Sequence, residues 1–503
     1  MAIFQTVLFG IFCTLCVWIA KYYWGRRKLY RLSAKIPGPK PYPLIGNTLD
    51  FIGDSTEKVL KTFQLYFTTY PDLFKYWLGP KLIFGISKPE HMEIILNQHQ
   101  CLEKDSNYDF TRIYLGNGLL TAPVHIWKKN RKIINPMFNQ KRLDSFIQIF
   151  SKQAKTCLEI MKQKAGDKTL DIFPIISACN IDTICETTMG ISVNAQKSSN
   201  HFGILLDRIM EIVMLKMAIF WYHCDLIFKR TKHQKVLDET LPIVKNFTGK
   251  IISAKKKLFD EKTKQIEAGD IIEEDDKSWK PFLDLLLALT IEGKKFSEEE
   301  LGDEVNTFMA AGSDTTAGSL SFCFMALGIY QDVQKKVYQE VIDVLGEDRD
   351  ITPEDLPHLH YTERFIKEVL RLFPVVGFIM RTFTADVDIG DAVLPEGSSV
   401  LISLFHAHRS PKYWKDPLKF DPDRFLPEES AKRHPYSFLP FSAGPRSCIG
   451  KKYAVMNLKS ILATVVRKLV IKCDYKSAEE VELKLNIMLR PIHGFKVSVE
   501  LRE

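Results

Sequence analysis

A chain of 503 residues that is 46% hydrophobic and 26% charged holds enough apolar material for a large core, and this charge content suits a soluble body better than a polytopic membrane protein. The net charge of +8 is modest at this length, and without an RNA-recognition or zinc-finger pattern it argues for a basic face and against nucleic-acid binding. The ten cysteines lie scattered without paired spacing, which suits a reducing compartment and not a disulfide scaffold.

In chain order, Ile3 to Ala20 carries no charge and is followed by Lys21-Tyr22-Tyr23-Trp24-Gly25-Arg26-Arg27-Lys28. Positive charge after the apolar run, with no basic segment before it and no Ala-x-Ala site, predicts an uncleaved anchor whose body lies on the cytosolic side. Residues 1–24 are read as the anchor, 25–44 as a basic and proline-rich linker and 45–503 as one large domain. The prolines of Ile36-Pro37-Gly38-Pro39-Lys40-Pro41-Tyr42-Pro43 forbid helix and stiffen the linker.

Leu73 to Ser87 flanks Gly79-Pro80-Lys81 with apolar residues and predicts a β-hairpin. Tyr108 to Leu120 is an aromatic loop with Gly116 and Gly118, either an access loop or a plain surface connection. Trp127 and Arg131 stand four apart on one helical face, flanked by Lys128, Lys129 and Lys132. The run Met217 to Tyr222 suits core or a membrane-dipping surface equally. Asp260 to Lys280 is dense in charge and reads as a mobile surface connection.

Ser297-Glu298-Glu299-Glu300 is a capping box that opens a helix running to about Tyr330. In its middle Ala311-Gly312-Ser313-Asp314-Thr315-Thr316 weakens the ladder, because hydroxyl side chains compete for backbone carbonyls, and predicts a local opening for oxygen and water. The next helix places Glu368 and Arg371 on one face and stops at Pro374. Phe420-Asp421-Pro422-Asp423-Arg424-Phe425 follows.

The last distinctive stretch is Phe441-Ser442-Ala443-Gly444-Pro445-Arg446-Ser447-Cys448-Ile449-Gly450, a glycine-punctuated loop before an apolar segment, Tyr453 to Val470, that reads as a helix. Backbone N–H groups and the helix dipole there favour a thiolate. No second cysteine or histidine pair lies near, so zinc is a poor fit, whereas a macrocycle that brings four nitrogens needs one protein ligand. Gly444 permits a tight turn and Gly450 a close approach to a flat cofactor, while Phe441 can cover the sulfur face and Arg446 can reach a propionate carboxylate of such a group.

With every fixed position filled, this stretch resembles the Phe-x-x-Gly-x-Arg-x-Cys-x-Gly signature of the cytochrome P450 superfamily. The resemblance implies a mainly α-helical fold with a smaller β region (α+β), a single N-terminal membrane anchor and a catalytic domain over 45–503. It makes Cys448 the axial ligand of haem iron and Trp127, Arg131, Arg381 and Arg446 propionate contacts, with Ala311, Phe441 and Gly450 also against the haem. Asp314 and Thr315 take the place of the oxygen-activation pair that relays protons. Glu368, Arg371 and Arg424 match the family's structural triad, and Val375, Val376, Phe378, Ile487 and Met488 fall where the pocket is lined. Residues Glu304 to Thr316 resemble the long-helix signature of the fatty-acid omega-hydroxylase clan, insect members above all. Asn306, Ala310, Ala311 and Ser313 depart from that pattern, and Ala311 replaces a glutamate that esterifies haem in many relatives, which implies non-covalent haem b.

The implied function is insertion of one oxygen atom of O2 into a lipophilic substrate, a fatty acid, hormone-like lipid or xenobiotic. Electrons would come from NADPH through NADPH-cytochrome P450 reductase, with cytochrome b5 as a second donor, at the endoplasmic reticulum membrane. The basic residues beside Trp127 would attract an acidic donor, or form a merely solvated face. A haem-thiolate isomerase or dehydratase needing no external electrons, and a non-enzymatic haem-binding protein, are the alternatives.

Overall fold

The computed structural model describes residues 2–198, 201–268, 281–291 and 296–502. Helix α1 (Ala2–Gly25) is largely apolar and leaves most of its described side chains exposed, and its Ile3–Gly25 stretch is long and apolar enough to cross a membrane. The linker is less irregular than its composition predicts. A short helix, α2 (Arg27–Ser33), forms before the prolines begin and stacks Tyr30 on Trp77 at 4.7 Å, while Lys28 pairs with Asp386 at 2.8 Å. The proline stretch itself has no helix and lies against the sheet, where Pro37 accepts a hydrogen bond from Lys75 N–H at 2.8 Å. Gly38 is required there, since a Cβ would stand 2.0 Å from the Lys75 carbonyl oxygen.

The predicted hairpin is β1 (Leu73–Leu78) and β2 (Lys81–Ile86), antiparallel with Leu78 opposite Lys81. With β3 (Glu103–Lys104), β5 (Phe378–Thr382) and β6 (Ser399–Ser403) it builds a sheet in the order β1-β2-β6-β5-β3. The β2–β6 pair is parallel, and Lys104 stands directly opposite Arg381. Strand β4 (Leu170–Asp171) joins β7 (Leu469–Lys472) and β10 (Lys496–Leu501), and β8 (Leu483–Asn486) and β9 (Met488–Pro491) form a separate hairpin. Alternating strand residues of the five-stranded sheet, among them Leu82, Phe84, Ile86, Val400 and Ile402, close a small core of their own. The larger core lies among the helices.

Those helices include α3 (Thr56–Thr69), α4 (Val124–Ile134), α5 (Phe173–Ile184), α6 (Phe202–Ala218), α7 (Lys232–Glu267), α8 (Glu298–Ile329), α9 (His360–Leu372) and α10 (Lys451–Val466). Three expectations need correction. The charged stretch from Asp260 remains helical to Glu267, because α7 continues through it; residues 269–280 lie outside those described. The apolar run expected to be helix as far as Val470 ends at Val466, and Leu469 and Val470 belong to β7. A buried apolar run suits both states, and Arg467 decides between them by donating to the carbonyls of Ala463 at 3.1 Å and Arg349 at 2.9 Å, which closes the helix end.

Helix α8 has both halves of its capping box: the Ser297 hydroxyl accepts from Glu300 N–H at 3.1 Å, and Ser297 N–H donates to the Glu300 carboxylate at 2.8 Å. It does not open in its middle, contrary to the expectation. Ser313 and Thr315 donate to the carbonyls of Met309 and Ala311 at 2.5 and 2.6 Å, so their hydroxyls are satisfied inside the helix. Gly312 serves packing instead, because a Cβ would stand 2.7 Å from Ile184 of α5.

The cysteine loop is held from below by a buried ion pair. Arg371 donates Nε and Nη2 to the two Glu368 oxygens at 2.7 and 2.8 Å, with both side chains fully shielded from solvent. The remaining lone pairs and protons are used as well: Asp421 N–H donates to Glu368, Arg371 donates to the carbonyls of His408 and Pro417, and Arg424 lies 3.5 Å from Glu368. His408 then accepts from Leu439 N–H at 2.9 Å, and Leu439 accepts from Ser442 at 3.0 Å, which carries the constraint into the loop. Removing one partner strands a buried charge, so Arg371→Ala and Glu368→Ala should each cost about 3–5 kcal/mol and leave little soluble haem protein. Thermal unfolding and the yield of haem-loaded protein test this.

Candidate functional site

The long helix, the cysteine loop, the sheet, the 106–120 segment, α6 and the β8–β9 hairpin enclose a cavity of about 390 Å3. Every residue singled out for chemistry lines it: Trp127, Arg131, Ala311, Asp314, Thr315, Arg381, Phe441, Arg446, Cys448 and Gly450. So do Val375, Val376, Phe378, Ile487 and Met488, and the rest of the wall is largely apolar. The aromatic 108–120 loop belongs to this wall and is not a plain surface connection. Its Tyr108, Thr111, Leu115, Leu119 and Leu120 face the cavity, and Gly116 and Gly118 press so closely on α8 that a Cβ would collide with Asp303 and Thr307.

The loop before α10 wraps around its cysteine. Cys448 N–H donates to Phe441 O at 3.0 Å, Ser442 and Gly444 take left-handed conformations at φ +58° and +71°, and Gly450 caps the helix. A Cβ on Gly444 would stand 2.0 Å from Leu96 O, so only glycine fits. The thiol is accessible only because it faces the internal cavity. Its proton affinity runs opposite to the helix-dipole expectation: burial pushes the Cys448 pKa up, against the lowering effects of the Gly450 N–H, Arg131 and Lys451. Desolvation of an anion outweighs partial charges at a helix end, so the thiolate needs a cation at the sulfur.

Beside the cysteine lies a second unbalanced feature. Arg131 donates to Ser447 O at 3.1 Å, Arg446 to Ala122 O at 2.9 Å and Arg381 to Met380 O at 2.9 Å, with the Tyr108 hydroxyl also beside Arg381, so each finds only uncharged partners. The guanidinium over the Trp127 ring is that of Arg446, at 4.5 Å, and not Arg131. Lys104, across the strand pair from Arg381, points its ammonium at the Tyr108 ring at 4.5 Å and is driven well below the ordinary lysine range by burial and by Arg381 and Arg446. Burial and the neighbouring Arg381 likewise bring the Arg446 pKa down to about 10, and its Nε and Nη1 are buried without a partner. Among the described residues no carboxylate forms an ion pair with Lys104, Arg131, Arg381 or Arg446. Buried basic groups without a carboxylate ion-pair partner, two of the Arg446 nitrogens with no partner of any kind, fit an anionic group with two carboxylates, and the free thiol fits a metal in its centre. The residues present therefore suit haem.

On the α8 wall, Ala311 presents a methyl group and no carboxylate, and the Thr315 hydroxyl is turned back to Ala311 O. Asp314 is buried, and both of its oxygens accept from Arg490 Nη2 at 2.7 Å. Burial raises its carboxyl to about 6, with Arg490 pulling the other way. Of the lysines beside Trp127, Lys129 pairs with Glu300 at 2.9 Å and Lys128 meets His99 at 3.0 Å, whereas Lys132 stays exposed.

Sequence reasoning missed Lys104, Arg490 and Glu304. Nothing local marks the first two. Glu304 heads a helical signature, and its burial places it between α4 and the 116–120 turn, accepting from Asn130 Nδ2 at 2.8 Å and Leu119 N–H at 3.1 Å. Burial pushes its carboxyl up to about 7.

A family model described as cytochrome P450 matches residues 36–499. The chain is similar to cytochrome P450 4g1 of Drosophila melanogaster, with 34% identity over 531 residues covering 99% of this chain and 95% of the relative. It is similar to cytochrome P450 4d2 of the same organism, at 33% over 503 residues, with 99% and 98% covered. Cytochrome P450 4V2 of Homo sapiens is 34% identical over 476 residues, 92% of this chain and 89% of the relative.

Two outcomes follow from the charges. Because folded Glu304 holds its proton more tightly than the unfolded chain does, its contribution to stability is lost as pH rises from about 4.5 through about 7, by about 3 kcal/mol. Glu304→Gln should therefore gain on the wild type between about pH 5 and pH 8 in thermal melts. Lys104→Met should release haem to a scavenging apoprotein about tenfold faster if the ammonium holds a propionate.

Proposed function

The chain belongs to the cytochrome P450 family and is a haem monooxygenase; on that premise we propose that it hydroxylates a lipophilic substrate, a fatty acid, hormone-like lipid or xenobiotic, with NADPH electrons delivered by a reductase. The observation that carries this reading is one apolar cavity with the Cys448 thiol on its floor and Asp314 and Thr315 on α8 above it. Haem iron ligated by Cys448 supplies the activation of O2 when bound. The chain supplies the rest.

Loss of the thiol proton lets Cys448 ligate as an anion, and Arg131, Lys451 and the Gly450 N–H stabilise that charge. Trp127, Arg131, Arg381 and Arg446, joined by Lys104, would hold the propionates. Phe441 and Gly450 bound the sulfur side. Ala311 offers nothing to esterify, so the group is haem b held without a covalent bond. Asp314 and Thr315 move protons: turning the Thr315 hydroxyl away from Ala311 O frees it to donate into the cavity, and Asp314 with its raised pKa reloads it near neutral pH. The apolar wall orients a greasy substrate and excludes bulk water.

The anchor and the basic residues behind it support residence in the endoplasmic reticulum membrane with the catalytic domain in the cytosol. Exposed Lys128 and Lys132, on the helix that bonds the cysteine loop, suit an acidic reductase or cytochrome b5. An isomerase acting without external electrons need not keep the Asp314–Thr315 pair.

Reduced protein treated with carbon monoxide should give the Soret band of thiolate ligation, and Cys448→Ser should lose it. A histidine-type band in the native protein overturns the assignment. Reductase-dependent NADPH consumption stimulated by one class of lipid identifies the substrate class, and turnover without NADPH would favour an isomerase.

A further inference from the structure

Arg490 is the only described cation that grips Asp314, and it is shared. While Nη2 holds both Asp314 oxygens at 2.7 Å, Nε donates to Asp207 Oδ1 of α6 at 2.9 Å. Asp207 in turn accepts from Asn486 Nδ2 at 3.3 Å, and Asn486 accepts from the Thr56 hydroxyl of α3 at 2.9 Å. The site is built for this side chain. A Cβ on Gly318, one turn beyond Asp314, would stand 2.8 Å from Arg490 Nη1, and the Phe173 ring covers the guanidinium at 4.7 Å. One guanidinium thus serves two carboxylates on two different helices, which the planar fork of arginine permits and a lysine ammonium does not.

Both elements that hold the arginine also touch whatever fills the cavity. Leu206, Met210, Met214 and Met217 of α6 line it, and so do Leu485, Ile487 and Met488 of the β8–β9 hairpin. Lys484 of the hairpin lies 3.9 Å from Glu211, which adds a second link between hairpin and helix. A displacement of α6 carries Asp207 with it and changes how the guanidinium is divided.

We propose that Arg490 is the positioning residue for the Asp314 carboxylate and that, through Asp207, it ties that carboxylate to α6, so that the cavity wall and the proton-delivering group move as one unit. The proposal rests on the proton role given to Asp314 above. Coupling of this kind is reciprocal, so cutting the tie at either end loosens the other.

The test uses full-length haem-loaded protein in phospholipid vesicles with an NADPH-dependent P450 reductase, each variant first shown to keep the thiolate carbon monoxide spectrum. In ligand-free protein, Asp207→Asn, Arg490→Lys and Asp314→Asn should each raise amide hydrogen exchange over residues 202–218 about fivefold. Arg490→Lys and Asp207→Asn should also shift the ratio of NADPH consumption rates in H2O and D2O in the same direction as Asp314→Asn. Unchanged exchange in Asp314→Asn overturns the tie. A rate ratio moved by Asp314→Asn but not by the other two overturns the positioning role and leaves the proton assignment standing. A ratio that Asp314→Asn does not move overturns the proton assignment itself, and exchange then decides the tie alone.

Discussion

Four basic side chains that meet in a closed space, none of them ion-paired with a carboxylate among the described residues, set the terms for the rest of the molecule. Lys104 and Arg381 stand opposite each other in adjacent strands, where like charges repel, and Arg131 and Arg446 come from a helix and a loop distant in sequence. Each of the elements brought together here contributes one positive group to one end of one cavity. Such an arrangement is costly in a low dielectric unless something negative completes it. The same accounting explains the thiol, whose burial disfavours the anion until a metal cation meets the sulfur. An anionic group bound there would offset much of the charge that the fold leaves open.

The Glu368–Arg371 pair illustrates the opposite solution. It too is fully buried, yet its donors and acceptors are met by each other and by neighbouring backbone groups. It lies beneath the cysteine loop, where stiffness is needed and chemistry is not. Polar groups that close on themselves fix geometry, whereas groups left open await a ligand.

What the sequence disclosed follows the range of the interactions. The capping box, the β1–β2 hairpin and the cysteine loop are written within a few neighbouring residues and were legible. The end of α10 was not, because Val465 to Ile471 suits a buried helix and a buried strand alike and the choice falls to Arg467 and its carbonyl partners. Short α2 lacks the length for a periodic signal, and α7 continues into charge that composition alone reads as loop. Partner identity was least accessible: Arg490 finds Asp314 across 176 residues and Asp207 across 283, and no spacing rule reports such a meeting. The α8 hydroxyls were identified correctly as residues but misread in effect, since they satisfy themselves inside the ladder instead of opening it.

The regularity of α8 also determines which edits the gene can tolerate. With its start pinned at Ser297, one extra residue before Gly312 would turn everything downstream by about 100°, and a whole extra turn would slide it by about 5.4 Å. Gly312 would then no longer face Ile184, nor Gly318 admit Arg490, nor Asp314 and Thr315 overlook the sulfur. A point substitution disturbs one of these contacts at a time, whereas a change in the helix's length in codons disturbs them all.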